Sequence, residues 1–261
     1  MSKFGRVFQN KKVLFLDMDG TVYMGNRLIP GAKEFLDFLQ DKGIDFYFLS
    51  NNSSRSKTDY VQKLSFLGIP TSEERIILST DGVIEFLSEK KIKDLYVVGT
   101  QSMKGMFVKA GFAVESGSPR YIILGFDTEL TYEKLKKACL FIQNGVELIA
   151  THPDLVCPTP EGFIPDTGSM LALIEKATRK KPFKIFGKPN AEMVAHVMKR
   201  HGASPREVAM IGDRLYTDME LARRIPCDFI LVLSGETKKE DIAKLKDPPA
   251  LVAQSLAELM V

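Results

Sequence analysis

Short apolar runs of five or six residues alternate along the chain with longer amphipathic stretches. The runs have the length and the β-branched and aromatic content of buried strands. In the stretches between them apolar residues recur three or four positions apart, as on a helix with one buried face. Strands alternating with helices predict an α/β fold built on a doubly wound parallel sheet. The predicted strands are 13–17, 45–50, 94–99, 121–126, 146–151, 183–187, 207–212 and 228–233.

Local signals mark the ends of several predicted helices. Two of these helices stop at Gly43 and Gly202, and glycine is the residue that most often ends a helix. Thr131 is a candidate N-cap, because its hydroxyl can accept a bond from a backbone N–H of the first turn. The predicted helices are 31–42, 131–143, 168–179 and 190–201.

The position of the polar segments divides the chain into two predicted domains. The clusters of polar residues that could carry chemistry lie before residue 82 or after residue 186. The stretch between them has predicted strands and helices of its own. An insert of about 100 residues is within the usual size of a domain. We therefore expect a discontinuous core formed by residues 1–82 and 183–261, with a smaller α/β domain inserted at 83–182.

Composition excludes several classes of partner. Lys and Arg number 36 against 33 Asp and Glu, a net charge of +3 without a long basic run, so no nucleic acid polymer is expected as a partner. No apolar stretch is long enough to span a bilayer, so no membrane partner is expected. The three cysteines are far apart and odd in number, which is typical of reduced thiols and predicts a cytoplasmic protein.

Four predicted strands end in polar residues. The carboxyl ends of parallel strands meet at one edge of the sheet, which is where such folds bind ligands. These ends would bring together carboxylates, a hydroxyl, an amide and an ammonium group, a set suited to phosphoryl transfer with Mg²⁺. The four segments are Asp17-Met18-Asp19-Gly20-Thr21, Ser50-Asn51-Asn52, Gly187-Lys188-Pro189, and Gly212-Asp213 continuing to Thr217-Asp218.

In this order the four segments resemble the motifs of the haloacid dehalogenase superfamily, whose core is a Rossmann-type sheet. The position of the insert resembles the branch with a C2-type cap. Three segments of the insert resemble the cap of the NagD-like, or 4-nitrophenylphosphatase-like, subgroup. They are Thr151-His152-Pro153-Asp154, Cys157-Pro158-Thr159-Pro160-Glu161-Gly162 and Pro165-Asp166-Thr167-Gly168-Ser169.

The resemblance implies a phosphatase that hydrolyses small phosphomonoesters through an aspartyl-phosphate. Asp17 would be the nucleophile and Asp19 the general acid and base, a role that requires a raised pKa. Mg²⁺ would be held by Asp17, by the Asp19 carbonyl and by Asp213, with Thr21 and Asp218 supporting the site from outside. The groups that would bind the phosphoryl oxygens or offset their charge are Gly20, Ser50, Asn51, Asn52 and Lys188.

The cap would close over the site and choose the leaving group. By resemblance, Thr151, His152, Asp154 and Asp166 are candidates for this selection, although His152 could equally be a satisfied surface or core histidine. Substrates of the subgroup include nucleoside monophosphates, phosphoglycolate and the artificial compound 4-nitrophenyl phosphate, and the sequence does not separate them. Caps of this branch often mediate dimers, so a homodimer through the cap is one expectation, with the oligomeric state left open.

Other interpretations remain at this stage. A phosphotransferase of the same superfamily and a catalytically silent, ligand-binding regulator would carry similar motifs. Taken singly, Ser50 to Ser54 could be a polar loop before a helix, Lys188 a solvated lysine, and Asp218 an N-cap for a helix at 219–224. Only the occurrence of all four segments in order favours the phosphatase.

Overall fold

The computed structural model describes residues 7–159 and 161–260, and the chain folds into two compact units. Of the described residues, the first unit holds 7–50, Val61–Ile77 and 188–260. The second holds Asn51–Tyr60 and Leu78–Gly187. The predicted division, with crossings after 82 and 182, assigned residues 51–60, 78–82 and 183–187 to the core instead. The predicted strand 183–187, which ends before Lys188, is therefore not a strand of the core sheet but belongs to the sheet of the second unit.

Hydrogen bonds explain why residues 51–60 belong to the second unit. The hydroxyl of Thr100 donates to the carbonyl of Ser54 at 2.7 Å, and the amide of Phe126 donates to Oγ of Ser53 at 2.8 Å. Both bonds are contacts between residues far apart in sequence. A division read from composition along the chain cannot detect them.

The first unit is built on a six-stranded sheet of order β14-β13-β12-β1-β4-β5. The pairings that join β14, β13, β12, β1 and β4 are all parallel. All five residues of β1 are buried, as its uninterrupted apolar run predicts for a central strand. The strands are β1 (Val13–Asp17), β4 (Asp45–Ser50), β5 (Ile76–Leu78), β12 (Val208–Gly212), β13 (Asp228–Val232) and β14 (Leu251–Ala253).

Helices and a short hairpin complete the first unit. The hairpin consists of β2 (Tyr23–Met24) and β3 (Arg27–Leu28). The α-helices are Ala32–Asp41, Glu192–Arg200, Glu220–Arg224 and Lys239–Ile242, and Lys57–Phe66 starts in the second unit and ends in the first. A π-helical turn spans Leu215–Met219, and 3₁₀ turns span Glu73–Arg75, Pro205–Glu207 and Leu256–Met260.

The second unit has its own parallel sheet, of order β11-β8-β7-β6, and an antiparallel ribbon. Two clusters of buried apolar side chains form its core. The sheet strands are β6 (Leu95–Val98), β7 (Tyr121–Leu124), β8 (Glu147–Ala150) and β11 (Lys184–Ile185), and the ribbon is β9 (Val156–Thr159) with β10 (Gly162–Pro165). The helices are Ser79–Glu89, Gln101–Lys109, Tyr132–Gln143 and Thr167–Thr178.

The predicted α/β fold class is confirmed, and every predicted strand is present with ends shifted by at most three residues. Thr131 does cap its helix, because its side chain accepts from the amide of Lys134 at 3.3 Å. Strands β2, β3, β5, β9, β10 and β14 were not predicted; each has two to four residues, too few for a periodic pattern.

Within the part of the chain that the structure describes, no helix is long and apolar enough to cross a membrane.

Candidate active site

The register of the first unit's sheet brings three of the predicted strand ends to one edge. Asp17, the last residue of β1, pairs with Leu49 of β4, so Ser50 lies one residue beyond it. On the other side Leu16 pairs with Ile211, so Gly212 lies level with Asp17 and Asp213 follows it. Parallel pairing therefore places Asp17, Ser50 and Asp213 next to one another, as the sequence predicts.

Lys188 joins two carboxylates in this cluster. Its ammonium group donates to Oδ1 of Asp17 and, at 2.7 Å, to Oδ1 of Asp218. All three side chains and that of Asp213 are buried. One carboxylate oxygen from each of Asp17, Asp213 and Asp218 lies within 4.8 Å of the others. Three acidic groups thus share a buried space with the ammonium of Lys188.

Burial and crowding shift the pKa values of these groups. Burial raises the pKa of Asp17 well above its ordinary value, the ammonium of Lys188 opposes this, and the charges of Asp218 and Asp213 add to it. Burial and then the charge of Asp218 raise the pKa of Asp213 to about 6. Burial lowers the pKa of Lys188, but the charges of Asp17 and Asp218 outweigh burial and hold it above its ordinary value. More positive charge is needed to ionise all three carboxylates.

The cluster fits a divalent cation. Oδ1 of Asp213 is buried and has no hydrogen-bond partner among the described residues. A buried carboxylate oxygen without a donor is costly unless a cation or a proton occupies its lone pairs. Closely spaced carboxylate oxygens are the ligands that hard cations such as Mg²⁺ prefer.

The segment after β1 contacts the cluster through its backbone. Gly20 has φ +89°, and a Cβ there would lie 2.6 Å from Oδ2 of Asp213, so only glycine fits. The hydroxyl of Thr21 is buried without a partner among residues 7–159 and 161–260. Oδ2 of Asp19 accepts a bond from the hydroxyl of Tyr23 at 3.2 Å, and the side chain of Asp19 is not one of the three clustered carboxylates.

The predicted phosphate segment is divided between the units. Ser50 ends β4 in the first unit and is buried. Asn51 belongs to the second unit, where its side-chain nitrogen donates to Oδ1 of Asp154 at 3.0 Å. Oδ1 of Asn52 accepts from the amide and the hydroxyl of Ser54 at 3.0 and 2.6 Å. Asn52 therefore fits the interpretation of this segment as a polar loop before a helix. Asn51 instead makes a specific contact with Asp154, a residue distant in the sequence.

The predicted cap residues form a second buried cluster, inside the second unit. Both ring nitrogens of His152 are engaged, Nδ1 with Oγ1 of Thr151 and Nε2 with Oδ1 of Asp166, each at 2.9 Å. Asp166 also caps helix Thr167–Thr178 by accepting from the amide of Thr167. His152 is completely buried, so in this structure it is a satisfied core histidine.

Two features of the first unit were not predicted. Asp218 is not an N-cap: it lies in the π-helical turn and accepts from the amide of Arg214 at 3.1 Å as well as from Lys188. The segment after β13 was missed altogether, although the amide of Glu236 donates to Oδ2 of Asp213 at 2.7 Å. The sequence offers one indication of this segment: small and polar residues follow another strand of the parallel sheet.

Comparisons with known proteins agree with this geometry. The profile of the haloacid dehalogenase-like hydrolases matches residues 14–113, and a second one, described as HAD-hydrolase-like, matches residues 185–259. The 5′-nucleotidase YutF of Bacillus subtilis is 31% identical over 95% of this chain and 96% of its own length. An acid sugar phosphatase of Staphylococcus aureus is 31% identical with the same coverage. The crystal structure of a 4-nitrophenylphosphatase from Thermotoga maritima superposes with a TM-score of 0.93, at 40% identity, over 97% of this chain and 98% of that one.

The chain has a parallel α/β core with a buried acidic cluster at its strand ends, and phosphatases match the chain over nearly its whole length. Together these features define a phosphoric ester hydrolase. The chain belongs to the haloacid dehalogenase-like hydrolase family, and it is a phosphatase of the NagD-like, 4-nitrophenylphosphatase-like subgroup. The resemblance to this superfamily and subgroup is thereby confirmed, whereas the C2 type of the cap stays a prediction.

Proposed function

We propose that this protein is a Mg²⁺-dependent phosphomonoesterase that works through an aspartyl-phosphate at Asp17. The observation that carries the proposal is the pairing of buried Asp17 with Lys188, beside an oxygen of Asp213 that has no donor among the described residues. Such a site can bind an anion only after its excess negative charge is neutralised, which a divalent cation would do.

In the proposed reaction a carboxylate oxygen of Asp17 attacks phosphorus, and the bond from phosphorus to the leaving oxygen breaks. Asp19 gives its proton to that leaving oxygen, so the product leaves as an alcohol. Asp19 then takes a proton from water, whose oxygen attacks phosphorus and releases inorganic phosphate and the Asp17 carboxylate. Asp19 is protonated again at the end, so protons and bonds balance over the cycle.

The Mg²⁺ ligands we propose are carboxylate oxygens of Asp17 and Asp213 and the backbone carbonyl of Asp19. Bound there, Mg²⁺ would offset the charge of the phosphoryl oxygens and favour the ionised carboxylates. Asp218 contacts Lys188 directly, and we assign it the task of holding the ammonium beside Asp17. Thr21 supports the segment after β1.

For the phosphoryl oxygens we propose the hydroxyl of Ser50, the backbone amide of Asn51 and the ammonium of Lys188, with Gly20 and Asn52 shaping the neighbouring loops. Ser50 supports this role because it ends the strand paired with β1, one residue beyond the position level with Asp17. Lys188 supports it because its pKa is raised, so it stays charged at any pH at which a phosphatase works.

We propose small phosphorylated metabolites as substrates. The matched relatives are named for a nucleotide, for sugar phosphates and for 4-nitrophenyl phosphate, all phosphomonoesters with different leaving groups. A common core with varied leaving groups is expected when the second unit acts as the cap and selects the leaving group. Thr151, His152, Asp154 and Asp166 remain our candidates for that selection, and because all four are buried we propose that they act by holding their segments in place. A cytoplasmic location and a homodimer through the cap also remain proposals.

The test is phosphate release from a panel of nucleoside monophosphates, sugar phosphates, phosphoglycolate and 4-nitrophenyl phosphate. We expect turnover with Mg²⁺, none after treatment with EDTA, and recovery when Mg²⁺ is returned. Asp17→Asn should abolish turnover, whereas Asp247→Asn, a control whose side chain is 86% exposed, should retain it. Residual hydrolysis by folded Asp17→Asn would overturn the nucleophile, and indifference to EDTA would overturn the metal. Transfer of phosphate to an added alcohol without hydrolysis would favour the phosphotransferase.

A further inference from the structure

The segment after β13, Ser234–Thr237, binds two of the loops at the acidic cluster; we call it the β13 loop. The hydroxyl of Ser234 donates to the carbonyl of Gly20 at 2.7 Å, in the loop after β1. The amide of Glu236 donates to Oδ2 of Asp213 at 2.7 Å, in the loop after β12. The amide of Thr237 adds a bond to the carbonyl of Asp213 at 3.2 Å.

The hydrogen bond from the β13 loop to the side chain of Asp213 uses one of the two carboxylate oxygens. Oδ2 takes the amide of Glu236, whereas Oδ1 is buried with no hydrogen-bond partner among the described residues. A donor that occupies one oxygen fixes the rotation of the carboxylate and leaves the other oxygen for a cation. This is how groups that contact a metal ligand set its orientation.

Gly235 lies against the same carboxylate. A Cβ at position 235 would lie 1.9 Å from Oδ2 and 2.4 Å from Cγ of Asp213, closer than any real contact. The backbone of Gly235 is not in the left-handed region, so its need for glycine comes from this close approach and not from its conformation. Any side chain at 235 must therefore displace the carboxylate of Asp213.

The side chain of Glu236 joins the β13 loop to the segment that follows Asp213. Its Oε2 lies 3.1 Å from Nε of Arg214, and the hydroxyl of Tyr216 donates to the same oxygen at 3.2 Å. Both partners lie in the segment that follows Asp213. The β13 loop and the loop after β12 are thus bonded to each other through backbone and side chains.

We propose that the β13 loop is a positioning element for the Mg²⁺ site, in which Gly235 and the amide of Glu236 aim Oδ1 of Asp213 and Ser234 holds the loop after β1. The inference rests on the proposed Mg²⁺ centre. The residues of the β13 loop contact Asp213 and Gly20, so we expect their effect to be on metal affinity through these two residues.

The experiment measures Mg²⁺ affinity without catalysis. The protein is freed of metal with a chelator, dialysed, and its thermal unfolding midpoint is followed as Mg²⁺ is added, which gives an apparent dissociation constant. Gly235→Ala should weaken Mg²⁺ binding by about 10- to 100-fold, the range found when partners of metal ligands are altered. Ser234→Ala, which removes one bond to a backbone carbonyl, should weaken it by about threefold to tenfold.

Gly117→Ala is the matched control, because position 117 has nothing within 4 Å of a Cβ and no positive φ. It should leave the Mg²⁺ affinity unchanged. In a second measurement, with 4-nitrophenyl phosphate, the Mg²⁺ concentration for half-maximal rate should rise for Gly235→Ala. At saturating Mg²⁺ its KM for substrate should stay within about twofold of the original value. A merely structural role would lower the unfolding midpoint without changing the Mg²⁺ dependence.

The outcomes separate the two proposals. If the unaltered protein binds Mg²⁺ and both variants bind it equally well, the positioning role is overturned while the metal centre stands. If the unaltered protein binds no Mg²⁺, the proposed metal centre fails and the positioning role fails with it. Should Gly235→Ala not fold, Ser234→Ala decides the question, because losing one hydroxyl introduces no clash.

Discussion

Oδ1 of Asp218 accepts a hydrogen bond from the ammonium of Lys188 at 2.7 Å, and the same ammonium donates to Asp17. All three groups are buried, so each charge depends on the others for its compensation. Breaking a buried pair by removing one partner costs about 3–5 kcal/mol, because the remaining charge has neither water nor a partner.

Lys188→Met should therefore lower the free energy of unfolding by about 3–5 kcal/mol at pH 7 in metal-free protein, in addition to abolishing turnover. Urea unfolding measures the change. The loss should shrink when Mg²⁺ is added or the pH is lowered, since either one compensates the carboxylates. Lys33→Met, which removes an exposed lysine that also pairs with an aspartate, should have almost no effect. An unchanged unfolding curve for Lys188→Met would show that the ion pair contributes nothing to stability.

The raised pKa of Asp213 predicts the pH dependence of the metal-free protein. Its folded pKa of about 6 exceeds the ordinary value of 3.8, so the folded state favours the protonated carboxyl. The resulting stabilisation is complete below pH 3.8 and is lost as the pH rises through 6. A shift of about two pKa units corresponds to about 3 kcal/mol.

We therefore expect the free energy of unfolding in EDTA to be lower at pH 7 than at pH 4.5, with Asp17 adding to the same trend because its pKa is also raised. Asp213→Asn should reduce this difference by about 2 kcal/mol, because part of the full effect is already lost at pH 4.5, and Asp247→Asn should leave it as it is. Urea unfolding at the two pH values measures both. A pH dependence that Asp213→Asn does not reduce would contradict the prediction.

The parts of the site that could be predicted are those that follow from sheet topology. Asp17, Ser50 and Asp213 each follow an apolar run, and parallel pairing places such ends together whatever the details of packing. The β13 loop could not be predicted in the same way. It acts on Asp213 through a backbone amide and through the absence of a side chain at Gly235, and neither leaves a chemical signature in the sequence.

The side-chain contacts of the second unit could not be predicted from the sequence either. Thr151, His152, Asp154 and Asp166 were selected by resemblance, but the pairing of His152 with Asp166 spans 14 residues and the whole β9–β10 ribbon. The short strands of that ribbon give no periodic pattern, and both contain proline. The contact between Asn51 and Asp154 spans 103 residues and depends on the fold of the whole unit.

The burial of His152 predicts a structural role for its ring. His152→Ala removes two hydrogen bonds and leaves a cavity where the ring was completely buried. The expected cost is about 2–4 kcal/mol in the free energy of unfolding, from lost packing and a partly unsatisfied Asp166. His196→Ala, on an exposed helical position, should cost less than about 0.5 kcal/mol. Equal urea unfolding curves for the two variants would contradict this.

Two segments of the second unit are joined and should determine substrate preference only as a pair. The first is the loop of residues 151–154, and the second is residues 165–169, which run from the last residue of β10 into the first turn of helix Thr167–Thr178. The carbonyl of Asp154 accepts from the amide of Gly168 at 2.7 Å, and a Cβ at Gly168 would lie 2.3 Å from the carbonyl of Pro153, so the segments fit each other closely. Exchanging one segment for that of another phosphatase of this fold breaks the fit, whereas exchanging both keeps it.

We therefore expect each single exchange to lower the free energy of unfolding by about 2–4 kcal/mol, because it leaves buried polar groups such as Asp166 without partners. The double exchange should recover most of that loss and change the ratio of kcat/KM between nucleoside monophosphates and sugar phosphates toward that of the donor enzyme. Turnover of 4-nitrophenyl phosphate is the control and should stay within about threefold, because its chemistry depends on the core. If the double exchange lowers kcat/KM equally for every substrate, leaving-group selection lies outside these two segments.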